Sequence, residues 1–285
     1  MGRVGRAPAR RGDRAVGARA AAHSVTPHVH PLLDPGLVLS LPLVVAAALA
    51  VGGSRAESRR GRPWPLRRLL LLLAGLGVAI ASLTGPFAQW AHADPRGAML
   101  AHLALGLLAP LLITTSAPVT LALRALDVTA ARRLSRVLRS RPARVLAHPI
   151  PAVLLSTGSL WLVHATGLLE AAHADPLLHA LLGVHFLASG CLLTGALIGV
   201  DPAPHRAPFG LRVGVVLGSI AAHALLGTTL YAEATSDVER QAAQILYYGG
   251  DLLELALVTV LFAQHYAATA PGRARKPLGG RPVHP

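Results

Sequence analysis

Charge is missing from this chain over stretches too long to form the core of a water-soluble domain. Uncharged, mostly apolar runs extend from Pro35 to Ser54, Leu69 to Ala93, Gly97 to Leu123, Val145 to Leu169, Pro176 to Val200 and Val213 to Ala232. Each holds at least 20 residues, the length a helix needs to cross a hydrocarbon core of about 30 Å. A seventh run, Gln241 to about Ala268, is interrupted only by Asp251 and Glu254. Backbone polar groups in lipid must find partners within their own segment, so runs of this length are helices. The dyad alternation of a membrane barrel is absent. The expected fold is all-α: a polytopic bundle of seven transmembrane helices over residues 35–268.

The net charge of +14 would suggest a nucleic-acid partner in a soluble protein. Here the basic residues follow the spans, which excludes that reading. Lysine and arginine collect on the cytoplasmic side of short loops. If the first span runs inward, cytoplasmic loops hold Arg55, Arg59, Arg60, Arg62, Arg67 and Arg68, then seven arginines from Arg124 to Arg144, then Arg206 and Arg212. The tail 269–285 adds Arg273, Arg275, Lys276 and Arg281, while the outer loops keep only Arg96 and Arg240. This places the chain in the plasma (inner) membrane with a cytoplasmic C-terminus. The Arg/Ala-rich segment 1–34 reads as a disordered tail that this topology puts outside, against the charge rule, and the loops outweigh it. It lacks the pattern of a secretory signal. Arg10-Arg11 is a weak twin-arginine likeness, and His28 and His30 read as solvated. The stretch 119–145 alternates leucine and valine with arginine and reads as an amphipathic element among anionic lipid headgroups.

Ionisable residues inside spans are costly and mark function by default. His102, His164, His179, His185 and His223 fall on four different helices, and at 1.5 Å per residue all lie in the outer half of the membrane. Imidazole suits copper, zinc and iron, and bundles build metal sites from facing helices. His179 and His185 are about 9 Å apart along one axis, so they cannot share one ion. Met99 and His102, three apart on one face, offer a thioether and an imidazole. Asp251 and Glu254 are also three apart and need a partner, a proton or a cation. The lone Cys191 excludes an intrachain disulfide and reads as a small core residue. Ala-His-Ala-Asp-Pro occurs twice, around His92 and His173; its Asp-Pro pair reads as a helix cap with proline at the first helical position.

Several motifs together resemble a known family. They are Leu107-Leu-Ala-Pro110 with Ser116-Ala-Pro-Val-Thr-Leu-Ala-Leu-Arg-Ala-Leu126, then Ala147-His-Pro149, Val184-His-Phe-Leu-Ala-Ser-Gly190, Leu197-Ile-Gly-Val-Asp-Pro202 and His223-Ala-Leu-Leu-Gly227. Over roughly residues 85–265 the chain is similar to the cytochrome c oxidase assembly factor CtaG family. The resemblance implies a non-enzymatic membrane protein that helps a haem–copper oxidase mature, with an oxidase subunit as partner and copper as the metal handled. His102, His185 and His223 occupy motif positions. Ala98 stands where the family carries the first of two histidines four apart, and Tyr247 and Asp251 keep an aromatic and a carboxylate of its last helix. The competing expectations are a transporter for copper or another cation, and a b-type haem redox protein with histidines on facing helices.

Overall fold

The computed structural model describes Gly2 and residues 34–201 and 206–270. The expectations for Arg10-Arg11, His28, His30 and the C-terminal basic residues fall outside that range. All regular structure among the described residues is helical. Twelve helices follow one another: α1 Pro35–Arg59, α2 Leu66–Leu83, α3 Gly85–Ala93, α4 Pro95–Thr115, α5 Pro118–Ala125, α6 Val128–Leu138, α7 Arg141–Leu146, α8 Pro149–Ala165, α9 Leu168–Ala174, α10 Pro176–Ile198, α11 Phe209–Glu233 and α12 Asp237–Thr269. Six of them (α1, α2, α4, α10, α11 and α12) are long and apolar enough to cross a membrane, and α8 with α9 makes a seventh if that bent pair counts as one span.

Three expected boundaries move, each for a backbone reason. The run Leu69–Ala93 is two helices: the chain is extended at Thr84, Gly85 takes φ 74°, and α3 sets off anew. The run Gly97–Leu123 breaks at Ala117, which adopts a left-handed conformation (φ 61°) ahead of Pro118. Proline disfavours a right-handed helical conformation in the residue before it, which ends α4 there. The run Val145–Leu169 bends by 81° between α8 and α9. The basic stretch 119–145 is three short helices, and α6 and α7 bury no residue at all.

Helices α4 and α10 are the axis of the bundle: the apolar windows of both are 44% buried, against 22% in α1. Between them they touch every other span. They cross where Gly190 meets the Gly106 carbonyl, an approach that any Cβ on Gly190 would block. Small residues at such crossings let membrane helices pack closely where hydrophobicity offers no drive between them. One apolar core joins Leu83, Met99, Leu103, Leu160, Phe186, Leu226 and Leu246. A second joins Leu193, Leu197, Val216, Leu257 and Leu261 toward the other end. Leu41, Val45 and Leu49 of α1 and Leu252 and Leu255 of α12 are exposed on the perimeter, as lipid-facing positions should be.

The arginine-rich end is tied together by charge. Glu57, fully buried, pairs with Arg60 at 3.0 Å and Arg62 at 3.5 Å, and Arg60 also donates to the Arg124 carbonyl. The Asp201 carboxylate accepts from the Val119 and Thr120 amides (3.1 and 2.7 Å) and from the Thr120 hydroxyl (2.6 Å). It therefore caps α5 from a loop about eighty residues away in the chain, and joins two of the motifs noted above.

Candidate functional site

Two wide turns position the site. Helix α4 passes through a π-helical turn at Ala104–Leu108, and α8 through another at Leu154–Gly158. In α4 the cause is legible: Pro110 has no N–H for the Gly106 carbonyl, so the ladder slips and the Ala109 amide bonds back to Ala104 instead. Turns of this kind are frequent at functional sites. Both face one small cavity of about 20 Å³, to which they contribute Gly106, Leu107, Ser156 and Thr157. The space suits one water molecule or one small ion.

The polar lining comes from four spans: His102 on α4, Ser156 and Thr157 on α8, Ser219 and His223 on α11, and Glu254 on α12. Thr157 and Ser219 share a hydrogen bond of 2.8 Å, and the Trp161 indole donates to the Ala222 carbonyl at 3.0 Å, which locks α8 to α11 beside His223. The His223 Nδ1 stands 3.4 Å from the Glu254 carboxylate, with both side chains almost fully buried. Gly250, one turn before Glu254, makes the pairing possible: a Cβ there would lie 2.7 Å from the His223 ring. The His102 ring lies 6.0 Å from that of His223 and stands edge-on to Phe186 at 4.6 Å.

Three polar atoms of this lining have no partner: His102 Nδ1, His223 Nε2 and Glu254 Oε2. Each such group costs roughly 1–3 kcal/mol when buried unsatisfied, so the cavity favours any guest that can bond to them. As built, no three His, Cys, Asp or Glu side chains among the described residues sit close enough to hold a metal ion.

The other intramembrane residues go elsewhere. His164 bonds its own helix through Nδ1 and the Leu160 carbonyl (2.9 Å), and its buried Nε2 has no partner. His185 contacts the Leu155 carbonyl at 3.1 Å, on the π turn of α8, and does not line the cavity. Asp251 is partly buried and also stands outside it, so the shared face with Glu254 does not make a shared site. Met99 is packed in the apolar core, and Cys191 is partly buried against the same cluster.

His179 belongs to a separate group. Its ring lies 5.0 Å from that of His92, which is 6.1 Å from that of His173. Sequence reasoning singled out neither His92 nor His173 as a site residue, although their twin pentapeptides were the available signal. Both Asp-Pro pairs do cap: Asp94 accepts from the Arg96 amide, and Asp175 from the Leu177 and Leu178 amides. The Arg96 guanidinium beside Asp94 also holds that carboxyl down, at about 2.

Comparison with known proteins bears on the identity of this bundle. The family model for the cytochrome c oxidase caa3 assembly factor (Caa3_CtaG) matches residues 47–268. The chain is a member of that family. Among its relatives are uncharacterized protein Mb0105 of Mycobacterium bovis and uncharacterized protein MT0111 of Mycobacterium tuberculosis. Each is 33% identical over 201 residues, covering 67% of this chain and 30% of the relative. Uncharacterized protein ML1998 of Mycobacterium leprae is 29% identical over 200 residues, covering 66% and 30%. The chain thus spans under a third of the length of these curated relatives. No solved structure matches it. The cavity residues His102, Ser156, Thr157, Ser219, His223 and Glu254 all lie within the part that the Caa3_CtaG family model covers.

Proposed function

We propose that this Caa3_CtaG member is a non-enzymatic assembly factor that takes up a copper ion as cargo at His102, His223 and Glu254 and passes it to a subunit of a haem–copper cytochrome c oxidase. The supporting observation is the set of three unpartnered donors around a cavity the size of one ion. Two imidazoles and a carboxylate are ligands that copper accepts. Capture requires a small inward movement. Two imidazoles on one tetrahedral ion place their ring centres about 5 Å apart, so the 6.0 Å between His102 and His223 must close by about 1 Å. The slack in the π turn that follows His102 provides for that movement.

In this reading the end carrying the two Ala-His-Ala-Asp-Pro turns faces outward from the plasma membrane. The arginine-rich end, with α6 and α7 laid among anionic headgroups, faces the cytoplasm. No bond in a substrate is made or broken; the ion changes ligands.

The test is made in cells that lack their own copy of the protein and carry wild type, His102→Ala, His223→Ala or Glu254→Gln at equal abundance. Copper per purified oxidase should fall below half of the wild-type value in each variant. Unchanged copper content in all three would refute the reading.

A further inference from the structure

The short helices at the arginine-rich end leave a groove open along α6, with a volume of about 820 Å³. Small-molecule sites usually measure about 300–1,000 Å³. The two ends of the groove differ in chemistry. Leu123, Leu126 and Val128 line the end where α5 turns into α6, and Arg132, Arg136 and Arg139 line the rest of its length. At 1.5 Å per residue, Val128 and Arg139 are about 16 Å apart along the axis. The three arginines follow one another at steps of four and three, which puts them on one face of α6. Elsewhere at this end of the bundle the arginines are taken. Arg60 and Arg62 pair with Glu57, and Arg68 and Arg124 lie over the Trp64 ring, each 5.6 Å from its centre. Among the described residues no carboxylate pairs with Arg132, Arg136 or Arg139. Asp127, at the turn, is committed to the Thr129 and Ala130 amides as the cap of α6.

We propose that this groove holds one anionic phospholipid, its phosphate among Arg132, Arg136 and Arg139 and an acyl chain along Leu123, Leu126 and Val128. Guanidinium groups match phosphate oxygens two by two, and clusters of arginine on amphipathic helices meet the anionic lipids of the cytoplasmic leaflet. Both ends of the groove are needed to choose the occupant. A free phosphate would leave the apolar end against water, and a zwitterionic lipid would leave the three cations without a counter-charge. The position is also fixed. Asp201 holds the start of α5, and Asp127 holds the turn into α6. To the general attraction of α6 and α7 for headgroups this adds a single seat for one molecule. It rests on the orientation given above, with the arginine-rich end toward the cytoplasm, and stands without the copper cargo.

The experiment uses the full chain, stripped of lipid in a mild detergent and titrated with phosphatidylglycerol, with bound lipids counted by native mass spectrometry. Wild type should hold one more phosphatidylglycerol than Arg132→Gln/Arg136→Gln/Arg139→Gln, and its affinity for that lipid should be higher by about tenfold or more. Arg133→Gln/Arg141→Gln/Arg144→Gln takes the same charge from outside the groove and should keep the lipid. Leu126→Ser/Val128→Ser should weaken it with every arginine in place. All of these positions are exposed, so the changes spare the core. Phosphatidylcholine with the same chains should not fill the seat, and inorganic phosphate at equal concentration should not empty it. His102→Ala should bind the lipid as wild type does, which separates this site from the copper reading. Equal lipid counts in wild type and the groove triple would overturn the proposal and leave the groove to an acidic protein partner. Equal losses from the two arginine triples would overturn it as well, by showing a charged surface without a seat. Occupation by phosphatidylcholine, or displacement by inorganic phosphate, would do the same.

Discussion

Glu254 and His223 face each other across 3.4 Å in a part of the bundle where neither reaches solvent. Removing one member of such a pair leaves the other with no acceptor or donor. Glu254→Ala should therefore destabilise the purified protein by about 1–3 kcal/mol. Glu254→Gln, which keeps the shape and an oxygen toward Nδ1, should cost less. Thermal unfolding in detergent, followed by loss of the monodisperse peak, ranks the two; equal losses would mean that the pair contributes nothing beyond volume.

Gly250 supplies a second check on the same geometry. A methyl group there would press on the His223 ring, and overpacking of this kind costs about 1–3 kcal/mol. Gly77 on α2 has nothing within 4 Å of its would-be Cβ. There alanine should stabilise, by about 0.5–1 kcal/mol, because a glycine in a helix is the less favourable residue. Opposite signs for the two changes in one unfolding assay are the expected outcome.

At the arginine-rich end, Asp201 holds the start of α5 through three contacts. Asp201→Ala should cost about 0.5–2 kcal/mol, the usual loss for a helix cap, and should speed amide hydrogen exchange in 118–125. Asp201→Asn, with one carbonyl oxygen left, should fall between wild type and alanine.

Asp94 ties stability to pH. Its carboxyl titrates at about 2 beside Arg96, below the roughly 3.9 of an unfolded chain. A depressed value means that the folded state favours the ionised form. The contribution is therefore complete above about pH 4 and is lost as pH falls through about 2. Carboxyl ¹³C titration should return the low value in wild type and one near 3.9 in Arg96→Ala. High salt should move wild type part of the way, because the pair is only partly buried.

The spans could be read from the sequence because lipid imposes its rule on every residue of a run: absence of charge over twenty positions has few other meanings. The breaks at Thr84-Gly85, Ala117-Pro118 and Thr166-Gly167 were hidden inside those runs, since an uncharged residue says what surrounds the chain and nothing about where the backbone turns. The same limit applies to the histidines. Rise along a helix gives depth, one coordinate of three, and by depth His185 and His223 look alike. What separates them is rotation, which packing decides: Gly250 opens room for His223 opposite Glu254, whereas His185 is turned to a carbonyl of α8. Of the three histidines at motif positions of the CtaG family, His102 and His223 line the cavity and His185 does not, while Glu254 was singled out by its cost in lipid alone.

The π turn at Ala104–Leu108 fixes how much sequence change α4 tolerates. Such a turn stores one surplus residue, so excising a single residue there would leave an ordinary helix of almost unchanged reach. The same excision in a regular turn of α4, where no residue is spare, would instead swing everything beyond it about 100° around the axis, carrying Pro110 and Ile113 off α10 and α2. Two faces of one span, His102 toward the cavity and Pro110 toward Gly190, stay in phase because the wide turn absorbs that spare residue. A one-residue deletion within the π turn should thus be far less harmful than one elsewhere in α4.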